Sequence, residues 1–268
     1  MSIETDNGVE FTPSTALVAP HSLGQKLSSW VRLLGRSLKK ELWVHVAQLP
    51  LGGLSMVVPA SRMEAQPQGN SKRPVVFVHG LGGHPGNFSA LELKLRFAGM
   101  GQLYRVDLRD TASMVSGAAS LSSAIDRVLE VNGFDENDQI DLVAHSMGGV
   151  LSRVAMLSPK LKTRVRRLIT LGSPHHGSHL AWYLTRYVGA GAELSPESPI
   201  WTDLSAQEPW DSTTELTSFY TPKDCLVRPS SSCLIRGADN RERSEETHFS
   251  FLWSQSVFSE IFAILQRE

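Results

Sequence analysis

One stretch constrains this chain more than any other: Val143-Ala144-His145-Ser146-Met147-Gly148-Gly149-Val150-Leu151-Ser152. The preceding run Gln139-Ile140-Asp141-Leu142-Val143-Ala144 is short and apolar, which predicts a buried strand. Val150, Leu151, Val154, Ala155 and Leu157 then recur at helical spacing. Ser146 therefore sits at the corner of a strand–turn–helix unit. A corner this sharp forces its central residue into a sparsely populated backbone conformation and leaves room only for tiny side chains two positions either way. Ala144 and Gly148 meet that demand. A serine held in this way is exposed and oriented for nucleophilic attack, although serine also serves widely as a helix N-cap.

The pentapeptide Ala144-His145-Ser146-Met147-Gly148 resembles the nucleophile elbow of α/β-hydrolases. A second element supports the resemblance. Arg73-Pro74-Val75-Val76-Phe77-Val78 reads as a buried strand that ends in His79-Gly80-Leu81-Gly82-Gly83. Acyl transfer needs two fixed N–H donors where negative charge develops on the carbonyl oxygen. In α/β-hydrolases these are the residue after the nucleophile, here Met147, and one from the loop after an early strand, here Leu81. His79, Gly80, Gly82, His145 and Gly148 are the supporting loop and elbow residues. No Lys-Ser/Thr or G-x-G-x-x-G sequence follows Gly80 to make the loop a phosphate cradle.

The order serine, acid, histidine that the resemblance implies confines the base to His175, His176, His179 or His248. No Asp or Glu lies between Ser146 and His175, so the three clustered histidines have no acid before them and His248 remains. Asp224 is the leading acid, because the alternating segment 214–220 ends in a Pro-containing turn that carries it past the carboxyl end of a strand. Asp239 is the rival, in a turn-like Gly-Ala-Asp-Asn context, with Asp203 and Asp211 further behind.

From Pro74 to Ile264 the chain resembles the small bacterial triacylglycerol lipases that carry an Ala-His-Ser-Met-Gly-Gly elbow. The matching pieces are Val78 to Gly83, Tyr104 to Asp107, Asp141 to Gly149, Ile169 to Gly172, Phe219-Tyr220 with Asp224, and His248 followed by Ser250 to Ser254. The resemblance implies a catalytic Ser146, Asp224 and His248, with Leu81 and Met147 as the oxyanion hole. Leu171 to Ser178 is closer to the wider lipase-like group that includes GPI inositol deacylases and lecithin-cholesterol acyltransferase relatives. The expected fold is α/β, a mostly parallel sheet flanked by helices, with strands near 54–58, 75–79, 103–106, 139–144, 166–171, 214–220 and 232–236. A closing helix follows His248.

An aromatic-rich insertion at about 181–213 holds Trp182, Tyr183, Tyr187, Trp201 and Trp210. It either caps the site or completes the core. The expected activity is carboxylic ester hydrolysis through an acyl-enzyme on acyl lipids. Acyl transfer or thioester cleavage by the same residues, and a non-catalytic binding scaffold, are the alternatives.

At 268 residues, 41% hydrophobic and with a formal net charge of −1, the chain suits one globular enzyme domain and gives no electrostatic case for a nucleic-acid partner. No metal-ligand pattern is complete and no cofactor is expected, His175, His176 and His179 reading as loop residues. Cys225 and Cys233 are expected to be free thiols. The first 20 residues contain Glu4, Asp6 and Glu10 and no Lys or Arg, unlike a secretory signal, so a cytoplasmic location is expected. Residues 1–70 read as an extension to a catalytic domain at 71–268. Within it, 22–48 has the pattern of a basic amphipathic helix, suited to packing or to peripheral membrane contact. Residues 42–61 lack charge, but Pro50, Gly52 and Gly53 break them, which argues against a membrane span.

Overall fold

The computed structural model describes residues 63–108, 112–135, 137–187 and 189–268. The expected strand at 54–58 and the amphipathic stretch at 22–48 lie outside these residues. Among the described residues six strands form one sheet: β1 (Val75–Val78), β2 (Leu103–Arg105), β3 (Ile140–His145), β4 (Val165–Leu171), β5 (Glu215–Tyr220) and β6 (Asp239–Glu242). Their order is β2-β1-β3-β4-β5-β6 and every pairing is parallel. Seven α-helices accompany them among the described residues: α1 (Ser89–Phe97), α2 (Met114–Val131), α3 (Met147–Ala155), α4 (Pro159–Arg164), α5 (His179–Thr185), α6 (Ile200–Ser205) and α7 (Gln255–Leu265).

Parallel sheets of this kind are covered on both faces, so their central strands are apolar throughout rather than alternating. β1 reads Val-Val-Phe-Val and all four residues are buried. The period of two still divides them. Val76 and Val78 join Leu142 and Ala144 in a core shared with Leu121, Ile125 and Val128 of α2 and with Val150, Leu151 and Val154 of α3. Val75 and Phe77 join Val143, Ile169 and Phe219 in a second core with Leu91 and Leu95 of α1 and Val257, Ile261 and Ile264 of α7. The sheet is thus the middle of three layers.

One predicted strand is corrected. Residues 232–236 form no strand: Ser230–Cys233 is a 3-10 turn, and the edge strand comes later, at Asp239–Glu242. Cys233 and Ile235 are buried, which accounts for the strand-like pattern, but they belong to a connection whose Ile235 N–H is taken by the Asn240 side chain. The true edge strand carries no apolar residue. It is held by backbone pairing with Thr217 to Tyr220, and Asp239, expected in a turn, begins it.

The insertion contributes α5, a 3-10 segment (Gly189–Leu194) and α6. Its aromatics divide: Trp201 is buried, Trp182 and Trp210 are half-buried, and Tyr183 and Tyr187 are exposed. Arg153 of α3, fully buried, ties this insertion to the sheet layer. Its guanidinium donates to the Leu204 carbonyl at 2.6 Å and meets Glu208 at 3.2 Å, with Gln207 and the His175 carbonyl as further acceptors. Replacing Arg153 by Met leaves the half-buried Glu208 carboxylate without the Arg153 guanidinium. The expected cost is about 3–5 kcal/mol, the usual penalty for breaking a buried pair from one side. Urea unfolding measures it, and a loss below about 1 kcal/mol would show the clamp to be dispensable.

Candidate active site

The carboxyl ends of β1, β3, β4 and β5, neighbours in the sheet, converge on one cleft. Ser146 follows β3 directly and is the N-cap of α3, with φ 56° and ψ −130°. Left-handed backbone at a non-glycine residue is costly, roughly 1–3 kcal/mol, and persists only where surroundings enforce it. They do so here on both sides. The Ser146 N–H is held by the Leu171 carbonyl at the end of β4. A Cβ at Gly148 would stand 2.4 Å from the Val78 carbonyl oxygen, so the helix can start where it does only with glycine there.

The loop after β1 lies against the serine. A Cβ at Gly80 would be 2.8 Å from Ser146 Cβ and 3.2 Å from its Oγ. His79 is buried and sets this loop. Its Nε2 accepts from the Leu108 N–H at 3.0 Å, so the proton is on Nδ1, which donates to the Gly80 carbonyl at 2.9 Å. That carbonyl also accepts from the Gly83 N–H. In a trans peptide the C=O and the following N–H point opposite ways. Two donors on Gly80 O therefore fix the direction of the Leu81 N–H. Gly82, at φ 63°, lets the loop turn back to bring Gly83 into place. Met147 opens α3, where the backbone N–H groups lack intrahelical acceptors and the helix dipole favours negative charge.

Asp224 lies in the turn after β5 and is fully buried, as is His248 in the loop after β6. His248 Nδ1 and Asp224 Oδ2 are 2.8 Å apart. The other carboxylate oxygen accepts the backbone N–H groups of Leu226 and Val227, each at 2.8 Å. Burial alone would raise the Asp224 pKa, but the facing His248 ring and these N–H groups outweigh it and hold the carboxyl below its ordinary value. An ionised Asp224 accepts a hydrogen bond from His248 Nδ1–H and so keeps the proton on that nitrogen, and in the neutral ring Nε2 then carries the basic lone pair. Ser146 and His248 line the same cleft, of about 240 Å³, together with Gly80, Leu81, His145 and Phe249.

The structure brings the expected Ser146, Asp224, His248, Leu81 and Met147 to one place, with His79, Gly80, Gly82, His145 and Gly148 around them. The rival acids lie elsewhere. Asp239 is exposed and paired with Arg241, Asp203 is exposed on α6, and Asp211 is exposed. His175 is buried beside Thr170, His176 faces the Leu234 carbonyl, and His179 opens α5. No group of three or more His, Cys, Asp or Glu that could hold a metal occurs among the described residues. Cys225 and Cys233 are not joined in a disulfide.

Gly172 and Phe249 had no signal as site residues. Gly172, after β4 with φ 57°, abuts the Asp224–His248 pair: a Cβ there would be 3.2 Å from Asp224 Oδ2 and 3.3 Å from His248 Nδ1. Phe249 meets the His248 ring edge-on at 4.9 Å between centroids. On the other side His145 donates from Nε2 to the His248 carbonyl at 2.8 Å. Leu81, Ser146 and Leu226 also border a second, smaller cavity, completed by Met147, Pro174, Val227 and, from the insertion, Ala181, Thr185 and Leu194.

The buried histidines have a consequence for acid stability. Burial, reinforced by His248, pushes His145 down to about 3, and burial with Arg153 puts His175 well below its ordinary 6.5. Below pH 6.5 the unfolded chain therefore binds protons that the folded chain refuses. Stability falls as pH drops, by about 1.4 kcal/mol per pH unit for each histidine. Asp141 opposes them: burial raises it to about 6 against the pull of Arg167, so from pH 6 to 3.8 the folded chain takes up the extra proton. Two against one leaves net destabilisation. The urea midpoint is expected to fall between pH 7 and pH 5, less so in His145→Gln, and a midpoint that rises would contradict the assignment.

Known proteins share this arrangement of strands and helices. Residues 70–188 match a family model described as a PGAP1-like alpha/beta domain. The mature lipase of Bacillus licheniformis is similar at a TM-score of 0.60 and 21% identity, over 77% of this chain and 95% of that one. A monoacylglycerol lipase of Paleococcus ferrophilus is similar at 0.55 and 16% identity, over 75% and 97%. Lipase B of Aspergillus fumigatus is similar at 0.57 and 16% identity over 74% of this chain, which spans 54%, about half, of that protein. The chain has the α/β-hydrolase fold and resembles small lipases in it.

Proposed function

We propose that this chain of α/β-hydrolase fold is a serine hydrolase that cleaves carboxylic esters with an apolar acyl group, the class that includes acyl lipids, through an acyl-enzyme. The observation that carries the reading is the buried Asp224–His248 hydrogen bond at 2.8 Å, opening on the same cleft as a serine in left-handed backbone. A surface loop histidine and a helix-capping serine need neither feature.

In this reading His248 Nε2 removes the proton of Ser146 Oγ as the oxygen attacks the acyl carbon. The carbonyl electrons move to oxygen, and the resulting anion is held by the N–H groups of Leu81 and Met147. Each such donor is worth about 10²–10³ in kcat, because it is already aimed before charge develops. Collapse expels the alcohol, which leaves with the proton from His248. Water, deprotonated by the same nitrogen, then attacks the acyl-enzyme, frees the acid and returns the proton to Ser146. Asp224 stays ionised throughout and stabilises the transient imidazolium. His79 and His145 act on backbone carbonyls rather than on substrate, and are positioning residues.

The test is labelling of the full chain with a fluorophosphonate. Stoichiometric modification of the wild type, mapped to Ser146 and absent in Ser146→Ala, supports the reading. An unlabelled wild type that also leaves every ester intact would reduce the protein to a scaffold.

A further inference from the structure

Among the described residues two cavities meet at Ser146, and they differ in kind. The larger, of about 240 Å³, runs past Gly82, Gly83, Asn87 and His248 and has polar groups along it. The smaller, of about 60 Å³, is bounded apart from Ser146 and Thr185 by apolar residues. Of the proposed oxyanion donors, Leu81 borders both cavities and Met147 borders the smaller one and not the larger. A carbonyl oxygen on those donors places the rest of the acyl group in that small cavity, while the alcohol side faces the larger cleft toward His248. This placement rests on the hydrolase reading above.

The small cavity ends at a wall built to stay in place. Thr185 donates its hydroxyl to the Ala181 carbonyl at 2.7 Å. Behind it the 189–194 segment packs without a gap: a Cβ on Gly191 would be 2.3 Å from the Thr185 carbonyl oxygen and 2.7 Å from Leu81 Cδ2. Leu194 is buried, and its carbonyl accepts the Ser178 N–H at 2.9 Å. Glu193 accepts the Met114 N–H at the start of α2 at 3.1 Å, which pins the segment to the body of the domain. Moving the wall would break these bonds and expose Ala190 and Leu194, both buried.

A water-sized group needs roughly 10–15 Å³ of such space, so the cavity takes about four to six non-hydrogen atoms. We infer that the protein selects esters of short acyl chains, no longer than about seven carbons counting the carbonyl carbon, and that Leu194, Thr185 and Ala181 set the limit. A longer chain aimed along the cavity meets the pinned 181–194 side, and inserting extra methylenes against a packed surface carries a penalty that reads as about tenfold or more in rate.

The experiment is kcat/KM of the full chain on p-nitrophenyl esters graded from acetate to palmitate, with fluorophosphonate labelling of Ser146 run in parallel. Butyrate is expected near the maximum and octanoate about tenfold or more below it. Leu194→Ala should raise the octanoate-to-butyrate ratio about tenfold. Ala181→Leu, which fills the cavity without removing core volume, should move the maximum to acetate. Labelled Ser146 with rates that climb to decanoate or beyond overturns the short-chain limit and leaves the hydrolase reading standing. The limit is equally overturned if a folded Leu194→Ala and Ala181→Leu both keep the wild-type profile. Absence of both labelling and hydrolysis overturns the two readings together.

Discussion

Ser146→Ala is expected to lower kcat for ester hydrolysis about 10⁶-fold while leaving the unfolding midpoint nearly unchanged. The two halves have separate causes. The strain at φ 56° belongs to the Cβ and the backbone, which alanine keeps, so folding sees almost the same residue. Chemistry loses its attacking oxygen outright, and what survives is the residual effect of aimed N–H donors and binding, about 10³–10⁴-fold over water in proteases of this type. Steady-state rates on a short p-nitrophenyl ester, corrected for contaminating esterase by fluorophosphonate treatment, measure the loss. A variant that keeps a tenth of the wild-type rate would place the nucleophile elsewhere.

The second large effect is expected for Asp224→Asn, a fall in kcat of about 10⁴-fold. Asp224 Oδ1 is pinned by two backbone N–H groups at 2.8 Å, which only an oxygen can accept. Asparagine must therefore turn its NH₂ toward His248 Nδ1, where the native side chain accepts at 2.8 Å. The ring responds by moving its proton to Nε2, the nitrogen that has to be the base, and proton abstraction stops. Asp239→Asn provides the control. That residue is exposed on β6 and ion-paired with Arg241, and its loss should leave kcat within about twofold of wild type. A large loss confined to Asp239→Asn would reassign the acid.

These contrasts show how unevenly the chain displays its site. The elbow at Ser146 and the loop after Val78 are legible because their causes are local: a buried apolar run, then glycines where backbones approach. The choice between Asp224 and Asp239 is less direct, since each acid lies in a turn-rich context. The strand at Asp239–Glu242 escapes the hydrophobic pattern because its four residues are all polar, and its pairing comes from the backbone of β5. Gly172 has no signal as a neighbour of the Asp224–His248 pair, because that contact spans three separate loops. Arg153 gives none either: a basic residue in a helix is ordinarily solvated, and here its partners come from the insertion more than 50 positions downstream.

What the amino-acid order alone determined is therefore the strand-turn-helix corner, the apolar strands on either side of it, and the short set of groups able to act there. Those follow from interactions between residues close in sequence. Which carboxylate faces His248, how the Gly80 carbonyl is held, and how little room remains beside Ser146 were decided only by tertiary structure. Each depends on distances between loops that the chain brings together after long separations, and no local pattern encodes them.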